Sequence, residues 1–359
     1  MADRISGFKV TCIGGMNTNR DVLSQGELYP GSGTQLINYE PSITGGYRRI
    51  SGYANSYGTV TGTGSVLGVM VAESLNDGIF ACRKATSGTN YFYKWVASSS
   101  TWSVITTPGT VTMVGVKKVR FTRYNWSAPK FALTDGINPA AVYDGTTYTQ
   151  ITDANAPNSP KYSAAFKNHL FLAGDPTDPY NLSIKSLTGT NIADFVVGEV
   201  TTNLGCVVPD SVIELGGNLV FLGPDGFRPV AGTSKIGDVE LETISKQIQF
   251  TITSILQELV AGSIDPETLS SVVIRKKSQF RLFLPAEGTF GLLGGLRASE
   301  GGVSFEYSQL FGFTITCAAS GYIGLEEVII HGDSTGKVYK QETGSSFNNT
   351  EILSVYQTP

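Results

Sequence analysis

Short apolar stretches recur along most of this chain, each ended by a Gly or Asp-Gly turn, and that rhythm is the strongest constraint on its fold. A tight hairpin needs residues that accept positive φ, and Gly, or Asp followed by Gly, supplies them. The first unit reads as strands 66–72, 79–84, 90–96 and 101–105, with turns at Asn76-Asp77-Gly78 and Ser87-Gly88. A second runs 119–125, 130–135, 140–143 and 147–151, turning at Asp144-Gly145. A third holds 162–166, 169–173 and 181–184, and a fourth holds 211–215, 218–222 and 227–230, the last after Asp225-Gly226. A fifth holds 271–276, 279–284, 289–293 and 303–307, and a sixth 313–318, 327–331 and 337–340. Their second strands repeat at roughly 40–60 residues, the period of propeller blades. The expectation is an all-β chain: a β-propeller of about six four-stranded blades over residues 61–359.

Two segments break the rhythm. Residues 1–60 are rich in Gly, Asn, Pro and Tyr without sustained periodicity, which predicts an extended N-terminal arm with short strands. At 241–262 the apolar residues Ile244, Ile248, Ile252, Ile255, Leu256 and Leu259 fall at helical spacing, which predicts one inserted amphipathic helix. Such a helix packs either on the side of its own propeller or against a second subunit.

The composition agrees with a sheet protein and limits its chemistry. Charged residues are 16% of the chain against about a quarter in an ordinary soluble domain, while Gly numbers 42 and Tyr and Phe 16 and 18. So few charges point to a surface partly covered by other subunits. The net charge of −4 carries no basic run of the kind that sequence-specific DNA binding needs. The densest basic stretch, Lys117, Lys118, Arg120 and Arg123, alternates with apolar residues and reads as the solvated face of a strand.

Catalytic patterns do not emerge. The two histidines, His169 and His331, lie in or at the end of apolar strands and read as structural. Cys12, Cys82, Cys206 and Cys317 are far apart, without the paired spacing of a zinc site, and read as free, buried thiols. The Gly-rich segments at 44–49 and 288–295 lack the spacing of a phosphate loop. Asp135, Asp144, Asp225 and Asp333 stand at or near Gly, where a carboxylate caps a turn; paired across a glycan they would instead serve hydrolysis. Trp95, Trp102 and Trp126 read as blade packing or, alternatively, as a sugar platform. No residue is therefore assigned a catalytic, cofactor or metal-binding role, and the chain reads as a non-enzyme. The first residues, Met-Ala-Asp-Arg-Ile-Ser-Gly, lack a basic segment followed by an apolar core, and no run of 18 apolar residues occurs, so neither a secretory leader nor a membrane span is expected.

The arm carries the most distinctive residues: Gly14-Gly15-Met16-Asn17, then Asn38-Tyr39-Glu40-Pro41, then Gly45-Gly46-Tyr47-Arg48-Arg49-Ile50-Ser51-Gly52-Tyr53. With Gly332-Asp333-Ser334-Thr335-Gly336-Lys337-Val338-Tyr339 near the end, this resembles the tail-tube hub or nozzle proteins of short-tailed bacteriophages. The resemblance covers about a fifth of the chain. It implies a virion protein assembled in the host cytoplasm as a homohexameric ring below portal and adaptor proteins. The ring would form part of the DNA-ejection conduit and carry tail fibres or spikes outside. Genomic DNA would pass without specific contacts, since an acidic or neutral lumen does not trap phosphates. On this reading Asn38, Tyr39, Glu40, Tyr47, Arg48, Arg49 and Tyr53 are the assembly-interface candidates, with Arg48 and Arg49 either pairing with a neighbour's carboxylates or simply solvated. The alternative is a carbohydrate-binding or glycan-cleaving β-propeller acting in host adsorption.

Overall fold

The computed structural model describes residues 12–22, 24–25, 31–42, 45–72, 78–86, 89–125, 128–153, 156–166, 169–174, 184–185, 206–215, 218–229, 243–284, 290–299 and 302–359. The Asn76-Asp77 and Ser87-Gly88 turns, Trp126 and most of the expected strand 181–184 lie outside them.

The chain is a β-propeller. Among the described residues, six antiparallel meanders follow one another in sequence, each built from neighbouring strands. The first contains Thr63–Ala72, Gly78–Lys84, Phe92–Val96 and Thr101–Ile105, and the second Arg120–Tyr124, Lys130–Thr134, Ala141–Tyr143 and Tyr148–Gln150. The third (Tyr162–Phe166, His169–Ala173, Ile184–Lys185) and fourth (Ile213–Leu215, Asn218–Gly223, Gly226–Pro229) show three strands among the described residues. The fifth contains Ser270–Ile274, Gln279–Phe283, Gly291–Ser299 and Gly302–Leu310, and the sixth Cys317–Ile323, Glu326–Gly332 and Val338–Gln341. Leading strands pack against leading strands: Thr63–Ala72 against both Cys317–Ile323 and Arg120–Tyr124, Ser270–Ile274 against Cys317–Ile323, and Arg120–Tyr124 against Tyr162–Phe166. Those contacts run around a common axis.

The core lies between blades rather than at one centre. Phe80, Phe92, Phe131 and Tyr143 fill the space between the first two, and Ala132, Leu170 and Leu172 that between the second and third. Val66, Val71, Ile330 and Val338 join the sixth to the first, and Val272, Phe283, Ile315 and Ile329 the fifth to the sixth. The sixth blade opens later than its apolar run at 313–318 suggests. Ile315 and Phe313 are drawn into the layer between blades, so the run is an entry loop and the strand begins at Cys317.

The expected helix forms as Gln249–Val260. Its Ile252 and Ile255, with the preceding Ile248, are buried in the cluster of the fourth and fifth blades, so it packs on its own propeller. Phe250 and Val260 remain on its outer side, 74% and 89% exposed.

The arm is woven into the propeller. Gln35–Ile37 runs parallel to Gly302–Leu310 and antiparallel to Val355–Gln357, extending the fifth blade. Tyr53–Ala54 pairs with Val338–Gln341 as the fourth strand of the sixth blade, and Ser346–Phe347 and Thr350–Glu351 extend it. Between these insertions Tyr39–Pro41 and Tyr47–Arg49 form a hairpin. Arg83 of the first blade donates to Gly64 O (2.9 Å) and to Thr335 O of the sixth (2.9 Å), tying the first blade to the last.

Gly52 is fixed by this weave, because a methyl group there would overlap the Ser346 carbonyl of the adjoining strand. Backbone cannot yield as a flexible side chain does. Gly52→Ala is therefore expected to lower stability by about 1–3 kcal/mol, read as a shifted urea midpoint.

Candidate functional site

Each interface candidate in the arm has a place in the chain itself. Asn38 sits in the left-handed region at φ 56°, which Asn tolerates, and is fully buried. Its amide donates to Phe311 O (2.9 Å) and Leu353 O (2.8 Å) and accepts from Phe311 N (3.0 Å), joining both ends of the chain to the fifth blade. The Tyr39 carbonyl accepts from Ser308 Oγ at 2.6 Å, and its ring stands edge-on to Tyr356. Tyr47 donates to Glu306 at 2.6 Å and accepts from Gly15 N. Glu306 also accepts from Gly14 N and lies 2.7 Å from the Arg297 guanidinium. Gly15, at φ 72°, lies so close to the Tyr307 backbone that a side chain would not fit. The Gly14-Gly15 pair thus presses the start of the arm onto the fifth blade.

Glu40 is the centre of the arrangement. Its side chain is wholly buried, and both oxygens are filled: Arg48 Nε at 2.8 Å, Lys277 Nζ at 2.7 and 3.0 Å, and Gln279 Nε2 at 3.0 Å. Arg281, itself fully buried, lies 3.7 Å away and donates to Glu342 at 2.5 Å and Gln341 at 2.9 Å. Lys277 bridges Glu40 to Glu342. Burial alone would raise the Glu342 carboxyl, but Arg281 and Lys277 together hold it below its ordinary value. Five charged groups from the arm, the fifth blade and the end of the sixth make one clasp.

Tyr53 seals the other end of the arm. It stacks on Phe347 (4.9 Å between centroids) and meets His331 and Tyr339 edge-on at 4.8 and 5.2 Å. Burial pushes His331 down to about 3, partly offset by Asp333 and reinforced by Arg281, so the ring is neutral and packs flat on Tyr339. His331 is structural. Of the seven arm residues, Arg49 and the half-exposed Arg48 present charge to solvent.

The Asp residues beside glycines are turn caps. Asp135 accepts from Ile137 N and Asn138 N, Asp144 from Thr146 N and Thr147 N, and Asp333 from Thr335 N and Lys337 N. Asp225 instead holds Arg228.

The basic stretch departs from its reading as one solvated face. Lys117 and Arg123 face solvent, but Lys118 and Arg120 turn inward, 8% and 12% exposed. Arg120 grips Asp210 through Nε (2.9 Å) and Nη2 (2.7 Å) and lies over the Tyr162 ring. Lys118 Nζ is 3.2 Å from Asp210 and donates to Leu269 O. These groups line a cavity of about 370 Å³ bordered by Val69, Tyr162, Ser271 and Cys317 from leading strands around the ring and by Asp210 from the turn before the fourth blade. This cavity is the propeller's axis. Nothing in the sequence marks Asp210, which sits on a single turn, Pro209–Ser211.

A second depression of about 870 Å³ opens between the first two blades, lined among others by Lys94, Trp95, Val104, Tyr143 and Tyr148, and no carboxylate lines it. Trp95 stands edge-on to Trp102, whose indole donates to Tyr57 O. Cys82 and Cys317 are buried free thiols as expected, whereas Cys206 is exposed. Among the described residues no group of three or more His, Cys, Asp or Glu stands together, and no helix is long and apolar enough to cross a membrane.

No family model and no curated protein matches the chain. Solved structures with a similar trace include an ancestral GH74 enzyme (9% identity, TM-score 0.35, 77% of this chain and 41% of that one). Another is the extracellular domain of a one component system from B. thetaiotaomicron (9% identity, TM-score 0.35, 87% and 40%). A triple mutant of AofleA from Arthrobotrys oligospora aligns at 11% identity and TM-score 0.37, over 89% and 93%. The chain spans about two-fifths of the length of the first two.

Two outcomes follow from the clasp and its neighbour. Glu40→Gln leaves Lys277 and Arg281 buried with one carboxylate, and is expected to cost about 3–5 kcal/mol in urea unfolding, whereas Arg49→Ala stays within about 0.5 kcal/mol. His331 binds a proton near its ordinary value when unfolded but only near pH 3 when folded, so the unfolded state takes up more protons and stability falls as pH falls below about 6.5. By pH 5 that loss is about 2 kcal/mol, and His331→Phe should flatten the slope between pH 6.5 and 5.

Proposed function

We propose that this chain is a structural subunit of a short-tailed bacteriophage tail, one copy in a nozzle or hub ring that continues the DNA-ejection conduit and carries tail fibres. The observation that carries the reading is the arm. The residues of the resemblance, from Gly15 through Asn38, Glu40 and Tyr47 to Gly52 and Tyr53, are those that lock the arm to the fifth and sixth blades. A motif with a defined mechanical role supports kinship of fold and assembly more strongly than scattered identities would.

The conduit on this reading lies between copies. The axis of a single propeller is crossed by the Arg120–Asp210 pair, and its cavity of about 370 Å³ has no room for a duplex. Ring closure needs head-to-tail contacts. The exposed Phe250 and Val260 of the helix and the outward Arg48 and Arg49 are the features of this surface best suited to them. No covalent chemistry is required of the subunit.

A glycan-binding propeller is the second reading, favoured by Trp95 at the open depression between the first two blades. Without a carboxylate in its lining, that site suits binding better than cleavage.

Light scattering on the purified chain, alone and with adaptor protein, separates the two. The tail reading expects six copies per particle, and a persistent monomer with adaptor present overturns it. Arg49→Glu should weaken assembly by about tenfold (~1.4 kcal/mol) while leaving the urea midpoint unchanged. A glycan array answered by the isolated monomer, and lost in Trp95→Ala, would favour the second reading.

A further inference from the structure

The axial cavity holds an imbalance of charge that nothing in the tail reading uses. Its charge-bearing side chains are Lys118, Arg120 and Asp210: two basic groups against one carboxylate. Two neighbouring pairs are matched within themselves, Lys161 with Glu267 at 2.5 Å and Lys117 with Asp265 at 2.6 Å. The three lining groups are 8–16% exposed, so water screens the surplus positive charge poorly. Burial pulls the Lys118 amine downward and Arg120 adds to that, against the opposing pull of Asp210. Asp210 engages Nε and Nη2 of Arg120, the hydroxyls of Thr122 and Ser271 donate to the Ser163 and Asp210 carbonyls, and the Tyr162 ring borders the same space. At about 370 Å³ the cavity falls at the small end of the roughly 300–1,000 Å³ range of small-molecule sites.

We propose that the axial cavity binds a small oxyanion, a phosphate- or carboxylate-bearing solute, with Lys118 and Arg120 as its charged ligands. A bound monoanion neutralises the surplus charge in a poorly screened site. A purely structural role for the three residues needs no ligand, and the two accounts differ in a direct measurement. The inference goes beyond the tail reading and holds or fails independently of it.

The test is calorimetric titration of the full chain with inorganic phosphate, sulfate and glucuronate at constant ionic strength, with chloride and glucose as controls. Saturable binding of one oxyanion per chain is expected, with silence from both controls. Phosphate against glucuronate tells a phosphate-bearing solute from an acidic sugar. Lys118→Met should weaken binding at least tenfold. Arg120→Lys keeps the charge needed for folding but loses the planar fork, and should also weaken binding if Lys118→Met fails to fold. Absence of saturable binding by all three oxyanions, or affinity unchanged in a folded variant, overturns the proposal.

Discussion

The buried contact between Glu40 and Lys277 locks the arm that helps to close this molecule. A ring of sheets that touch only their neighbours has two ends, and unless those ends are joined the first and last blades expose apolar faces and unpaired strand edges. Here the joint is made by the arm, and Glu40 is where it is locked. Removing such charges from water is costly, and the cost is recovered only when every lone pair is filled. Both oxygens of Glu40 are hydrogen-bonded, by Arg48, Lys277 and Gln279, and each oxygen of Glu342 by Lys277 or Arg281. A hydrophobic joint would be less demanding. A charged one accepts a single register, because shifting the arm by one residue would leave Arg281 and Lys277 buried with Glu342 as their one carboxylate.

How much of this was legible follows the range of each interaction. Blade strands were readable because hairpins are local: Asp144 and Asp333 cap their own turns, and strands Thr101–Ile105, Tyr162–Phe166 and His169–Ala173 fall where the pattern places them. The helix was readable from its periodicity. The clasp was only half readable. Glu40 and Arg48 stood out, but their reading as contacts to another subunit gave no weight to Lys277, Gln279 and Arg281, which lie more than 200 residues away. One signal was available. Gln279 and Arg281 alternate with Phe280 and Leu282, so a strand with one apolar face carries polar and charged groups on a face that is also buried. The inward turn of Lys118 and Arg120 had no such signal, because Asp210 reaches them across the axis from an irregular turn.

The two polar centres divide the work. The clasp fixes the arm on the fifth blade and the end of the sixth, and the axial triad fixes how the leading strands of the second, fourth and fifth blades converge, since Asp210 binds Arg120 through its carboxylate and Ser271 through its carbonyl. Between them the apolar layers supply most of the favourable free energy without directional preference.

The threading of the arm also sets an order of events during synthesis. Thr34 bonds to Gln357, 323 positions later, and the strand Gln35–Ile37 lies between Gly302–Leu310 and Val355–Gln357. On the ribosome, Thr34 and the strand Gln35–Ile37 emerge long before the segment they pair with, 323 positions later for Thr34 and Gln357. The first blade can form its hairpins at once but keeps an open flank until the sixth arrives. Such high contact order slows folding and leaves nascent chains prone to association. Once those segments interlock, the same topology works in reverse: releasing either of them breaks pairings between residues about 300 positions apart, which favours slow unfolding.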